Sequence, residues 1–69
     1  MDSTAISRFA YDRRHRELEV IFTSGRRYVY FEVPAETHQA FLEADSKGAF
    51  FNTRIRDRFR YRELTSAVS

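Results

Sequence analysis

Tyr28 and Tyr30 stand two positions apart in the stretch RRYVYFEVP (26–34), directly behind Arg26 and Arg27. On a strand, alternate side chains share a face, so both phenols point one way while Val29, Phe31 and Val33 point the other. Aromatic rings on a strand face bordered by arginine offer bases a stacking surface and phosphates a cation. A second concentration of chemically useful groups lies downstream, in Lys47, Arg54, Arg56, Arg58 and Arg60, with Arg62 after them. Of the 12 basic residues 11 are arginine, whose planar fork fits phosphate oxygens and whose flat surface stacks on rings. Ser46-Lys47-Gly48 reads as a helix start, where free N–H groups and a lysine can hold a phosphate. The plainer reading of that segment is an N-cap by Ser46.

Charge is unevenly placed. Residues 1–45 carry six arginines against eight acids, a net of −2, whereas residues 46–69 carry six cations against two acids, a net of +4. An arginine-rich face also occurs simply as a solvated surface, so the asymmetry points to a polyanion only together with the tyrosine pair.

Other chemistries find little support. The two histidines, His15 and His38, fall in a turn and on a helix with no second histidine at ligand spacing, and there is no cysteine. The sequence therefore predicts no metal site, no disulfide and no cofactor. Ser24 and Ser46 lie in no nucleophile motif, and Gly25 and Gly48 are the only glycines, too few for a phosphate-cradling loop. Glu17 and Glu19 are strand-face neighbours more suited to pairing with Arg8 than to sharing a proton. A non-enzymatic protein is the expectation. With no apolar leader and no run of about 18 apolar residues, a cytoplasmic chain without a membrane span is expected as well.

The elements that would position these groups follow from periodicity. A chain of 69 residues allows one domain, here 1–69 with a core of roughly 3–64 and a frayed 65–69. Its seven Phe and four Tyr must supply much of the buried area in so small a body. Segments 5–11, 17–23 and 27–33 alternate as strands. A two-residue Ser24-Gly25 turn would set Val20 against Val29, Leu18 against Phe31, Ile21 against Tyr28 and Glu19 against Tyr30. The preceding hairpin would set Phe9 against Leu18. The core face then reads Ala5, Phe9, Leu18, Val20, Phe22, Val29, Phe31 and Val33, and the opposite face includes Ile6, Ile21, Tyr28 and Tyr30. Pro34 opens a helix through residue 44 with Phe41 and Leu42 as core candidates. A second helix over 47–59 presents Phe51, Ile55 and Phe59 as an apolar stripe. From Arg56 the residues alternate, so the end is expected to be extended. It could place Phe59, Tyr61 and Leu64 over the tyrosines. The expected fold is α+β, a three-stranded antiparallel β-meander followed by two α-helices packed on one face (β-β-β-α-α).

Tyr28-x-Tyr30, the VP after it, DSKGAFFN (45–52) and IRDRFRY (55–61), in that order and spacing, resemble the KTSC domain over roughly residues 3–64. That family is named for the C-terminus of some lysyl-tRNA synthetases and also occurs as free-standing bacterial proteins of about this length, the form this chain resembles. The resemblance implies a small binding domain without established catalytic residues. It maps the central YxY onto Tyr28 and Tyr30 and the SKGxFFN segment onto Ser46, Lys47, Gly48, Phe50, Phe51 and Asn52. Combined with the residues themselves, it yields two expectations. The first is binding of RNA (tRNA or single-stranded) through Tyr28, Tyr30, Lys47, Arg54, Arg56, Arg58 and Arg60. The second is a protein partner or homodimer bound by the face around Ile6, Ile21, Tyr28 and Tyr30.

Overall fold

The computed structural model describes residues 6–64. They form strands β1 (Ile6–Asp12), β2 (Glu17–Phe22) and β3 (Arg27–Tyr30), helices α1 (Ala35–Glu43) and α2 (Lys47–Phe50), a π-helical segment Phe51–Ile55, and strand β4 (Tyr61–Leu64). The sheet is antiparallel in the order β1-β2-β3-β4, so it has four strands, not three. The arginine-flanked tail that alternates in sequence is the added edge strand. Both helices lie on one face, and extents of 35 × 34 × 18 Å match a sheet layer and a helix layer. Among the described residues, no helix is long and apolar enough to cross a membrane.

The register differs from the sequence expectation by one residue, and the cause is the turn. The Phe22 amide donates to the Arg26 carbonyl at 2.9 Å and the Gly25 amide donates to the Phe22 carbonyl at 2.8 Å. The loop is therefore the three residues Thr23, Ser24 and Gly25, with Gly25 at φ +96°. A three-residue loop ending on a positive-φ residue is the next commonest hairpin after the two-residue one. Its extra residue pairs Leu18 with Tyr30 and Val20 with Tyr28. One step of slip exchanges the faces of a strand. Tyr28 and Tyr30 consequently face the helices, whereas Val29 and Phe31 turn to the open side. Between β1 and β2 the shift is two residues, Phe9 with Val20 and Tyr11 with Leu18, which preserves the expected face. An irregularity between Ile6 and Arg8 then brings Ile6 opposite Phe22, so Ile6 packs against the core and Ile21 stays on the other side. The face of Ile6, Ile21, Tyr28 and Tyr30 expected from sequence is thus divided between the two sides of the sheet.

Leu18, Val20, Tyr30, Val33, Phe41, Phe51 and Ile55 are the buried core. Val33 reaches it because Glu32 takes a left-handed φ of 56°, which breaks the strand alternation and lets the Val33 amide donate to the Arg16 carbonyl at 2.9 Å. The Tyr11 hydroxyl donates to the Val33 carbonyl and ties β1 to the same point. On α1, Phe41 stacks on Phe9 at 4.0 Å and His38 stacks on Tyr11 at 4.5 Å. Leu42, expected in the core, points outward and is 47% exposed. Ala5, also expected there, lies outside the described residues, as does the 65–69 tail. Pro34 is the N-cap residue of α1, and Ser46 caps α2 by accepting from the Ala49 amide at 3.2 Å. The second helix is shorter than the 47–59 span. After Phe50 it widens, and the Arg56 amide donates five residues back to the Phe51 carbonyl at 2.8 Å.

Two consequences are measurable. Nothing lies within 4 Å of a Cβ built on Gly25, so Gly25→Ala costs backbone strain alone. A loss of about 1–2 kcal/mol is expected in urea unfolding, and an unchanged midpoint would contradict the turn. Burial pushes the Tyr30 phenol up to about 12, with Tyr28 and Tyr61 adding to the rise. Because the folded value exceeds the unfolded 10.0, this stability is complete below pH 10 and is lost as pH rises towards 12. Circular dichroism followed against pH should show unfolding in that window, delayed in Tyr30→Phe. Free ionisation of Tyr30 near pH 10 in a still-folded chain would contradict its burial.

A tyrosine and arginine cleft at the end of the sheet

Three tyrosines meet where β3 joins β4. Tyr30 pairs with Tyr61 across the strands, and the Tyr61 ring lies 5.5 Å from that of Tyr30 and 5.7 Å from that of Tyr28. Phe51 meets the Tyr30 ring edge-on at 5.5 Å and the Phe22 ring at 5.4 Å. The cluster is graded in exposure: Tyr30 is 3% exposed, Tyr28 is half-buried and Tyr61 is 56% exposed. The wall therefore has a packed base and an open rim.

These rings line a cleft of about 480 Å³ whose other walls are Phe22, Thr23, Ser24 and Arg26 of the β2–β3 turn and Phe51, Arg56 and Asp57. The widened turn explains why Arg56 belongs to it. In an α-helix residue i+4 returns beneath residue i, whereas a π turn returns residue i+5. Arg56 is thereby brought back to the side of Phe51, and both line the cleft. The Arg56 guanidinium donates to Asn52 Oδ1 at 3.3 Å. Arg26 pairs with Glu63 at 3.4 Å, with both side chains well exposed, an arrangement worth little in water. Both guanidinium groups therefore remain able to meet an anion.

The seven candidate residues are only partly gathered. Tyr28, Tyr30 and Arg56 line the cleft. Arg54 and Arg58 border a separate groove with Glu36, Thr37, Ala40, Phe50 and Phe59, where the Arg54 guanidinium sits 5.4 Å from the Phe50 ring centre. Arg60 is exposed, and its carbonyl accepts from the Phe31 amide at 2.9 Å. The Lys47 ammonium donates to the Ala44 carbonyl at 2.7 Å and so closes the C-terminus of α1. The Tyr30 ring, enclosed by Phe51 and Tyr61, presents no open face for stacking, and Tyr61 presents the exposed one. Arg26 and Asp57 also belong to the cleft and were not singled out by sequence. Arg26 borders the tyrosines in the chain, but Asp57 is visible only once the helix has widened. No group of three or more His, Cys, Asp or Glu among the described residues is arranged to hold a metal ion.

Across the sheet, the open side carries Val29, Phe31, Ala10 and Leu64 among Asp12, Glu17, Glu19 and Arg62. Glu19 is bridged to Arg27 at 2.8 Å.

Residues 2–59 match the KTSC domain. A protein of Tsukamurella paurometabola is 40% identical over 60 residues, which span 87% of this chain and 90% of the relative. The lysine–tRNA ligase of Nostoc punctiforme is 33% identical over 64 residues, 93% of this chain but 11% of the ligase. The crystal structure of a KTSC domain protein from Yersinia pestis aligns with a TM-score of 0.83 at 38% identity, covering 94% of this chain and 90% of that one. With the matched region spanning the core, the central tyrosine pair and the widened helix, the chain belongs to the KTSC domain family.

Proposed function

We propose that the chain is a small RNA-binding module that grips unpaired nucleotides at the Tyr28–Tyr61–Arg56 cleft. The observation that carries this is the cleft itself: an exposed aromatic ring held on a rigid aromatic base, with guanidinium groups on two of its walls. Base stacking on such a ring is worth ~1–3 kcal/mol, and the cations meet the backbone. A region like this chain in a lysine–tRNA ligase fits an RNA partner, tRNA or single-stranded. Arg54, Arg58 and Arg60 extend the positive surface beyond the cleft, and Lys47 adds its charge while holding the end of α1. The roles differ from residue to residue. Tyr61 stacks, Tyr28 supports it, Arg56 and Arg26 meet phosphate, and Tyr30 holds the base of the site.

A protein interface is the second reading, favoured by Val29 and Phe31 on the open side of the sheet. It would use that side rather than the tyrosines, and its affinity would depend weakly on salt.

A titration of labelled chain with tRNA and mixed single-stranded RNA at two salt concentrations separates the two. RNA affinity should fall steeply with salt, with a slope near −0.7 per neutralised phosphate. Arg56→Ala should reduce the slope by roughly one such unit. Tyr61→Ala should weaken binding by ~1–3 kcal/mol with the fold intact. Absence of binding at low salt would end the RNA reading.

A further inference from the structure

Tyr30 brings to the cleft a hydroxyl that the packing of its ring does not use. The residue is 3% exposed, and its hydroxyl makes no hydrogen bond to any described residue. Tyr11, on the same face of the sheet, is the contrast, since its hydroxyl donates to the Val33 carbonyl. No fully enclosed side-chain polar atom among the described residues lacks a partner, so the Tyr30 hydroxyl opens onto the cleft that its residue lines. A hydrogen-bonding group thus stands at the floor of the cleft, within reach of whatever enters.

The groups around it are sorted by chemistry. The Asp57 carboxylate accepts hydrogen bonds only, and Arg26 and Arg56 donate only. The Ser24 and Thr23 hydroxyls do either, and the Tyr61 ring, 56% exposed, is a stacking plate. A ligand matching all of them needs a flat ring, an anionic group, an acceptor for the Tyr30 hydroxyl and donors for Asp57. The cleft, at about 480 Å³, is of the size that holds a small organic ligand.

We propose that the cleft is the pocket for one unpaired guanine nucleotide of the bound RNA, a specificity that rests on the RNA-binding reading above. The guanine ring stacks on Tyr61. Its neighbouring N1–H and N2–H groups donate to the two oxygens of Asp57, and the Tyr30 hydroxyl donates to the base acceptor O6. The phosphate lies towards Arg56 and Arg26, and displaces the exposed Arg26–Glu63 contact. The other bases fit less well. Adenine and cytosine set an acceptor beside their amino group, which would face the carboxylate, and uracil flanks its single N–H with two carbonyls. A carboxylate facing an acceptor is an unpaired, repulsive contact, and this is how a site rejects the wrong partner.

The test compares uridine-rich single-stranded oligomers with and without one central guanosine, together with the four nucleoside monophosphates. Amide chemical shifts of the labelled full chain and fluorescence anisotropy are the readouts. The guanosine oligomer should bind at least roughly tenfold tighter than all-uridine RNA. Guanosine monophosphate should shift the resonances of Ser24, Arg26 and Tyr61 more than the other three do. Asp57→Asn should lower the preference for the guanosine oligomer towards that for all-uridine RNA, and Tyr30→Phe, which keeps the packed ring, should lower it as well. Equal binding of both oligomers, or a Tyr30→Phe chain with unchanged preference, overturns the guanine pocket and leaves the general RNA reading standing. If no RNA binds at low salt, both fall together.

Discussion

The loop Thr23-Ser24-Gly25 fixes which side of the sheet each residue of β3 occupies. Because strand side chains alternate, one more residue in that loop turns every side chain of the strand over. Gly25 makes the longer loop possible at φ +96°, a conformation that costs other residues backbone strain. From it follow the pairing of Leu18 with Tyr30 and Val20 with Tyr28, the burial of Tyr30, and the docking of Phe51 edge-on against it. The cleft inherits its floor from the same pairing. Had the loop been two residues long, Val29 and Phe31 would fill the space beneath the helices, and the tyrosines would lie on the opposite side from Arg56.

A second departure from regular geometry completes the site. The π turn brings Arg56 to the side of Phe51, while Phe51 and Ile55 stay buried. Widened turns of this kind are rare and frequent at functional sites, and here the local reason is visible. An α-helical continuation would keep the apolar stripe but send Arg56 round the helix. The helix then ends, and the chain returns as β4, which sets Tyr61 beside Tyr30. Turn, π segment and edge strand are three separate pieces of chain, and the cleft exists only where their ends meet.

Much of the fold was legible in the sequence, and the errors have physical causes. Alternation located β1, β2 and β3. Ser46 announced α2 by its side chain, and Phe51 and Ile55 announced their buried stripe by spacing. Three features were not legible. Loop length could not be read from Ser24-Gly25, since both a two-residue and a three-residue hairpin accept glycine at that point. The alternation after Arg56 announced an extended end, but its pairing as β4 was hidden by Arg60, Arg62 and Glu63, because an exposed four-residue edge strand needs little apolar patterning. The widened turn depends on tertiary packing and leaves no local residue signature. Val33 illustrates how an expectation can be right for the wrong reason. It is buried as anticipated, but only because the left-handed Glu32 returns it to the face that Val29 and Phe31 have left.

The size of the domain bears on why its core and its candidate site share residues. A chain of 69 residues has too little interior to separate a packing layer from a recognition layer. Tyrosine resolves the conflict, since its ring supplies buried apolar area and its hydroxyl retains a polar function at the margin. Tyr11 uses that hydroxyl within the fold, on the Val33 carbonyl. Tyr30 uses its ring within the fold and keeps its hydroxyl for the cleft, while Tyr61 keeps a ring face free as well. The sequence pattern Tyr28-x-Tyr30 is therefore a core feature first. The binding role proposed for it arises at one remove, through the exposed ring that the pair supports and the arginine that the widened helix delivers.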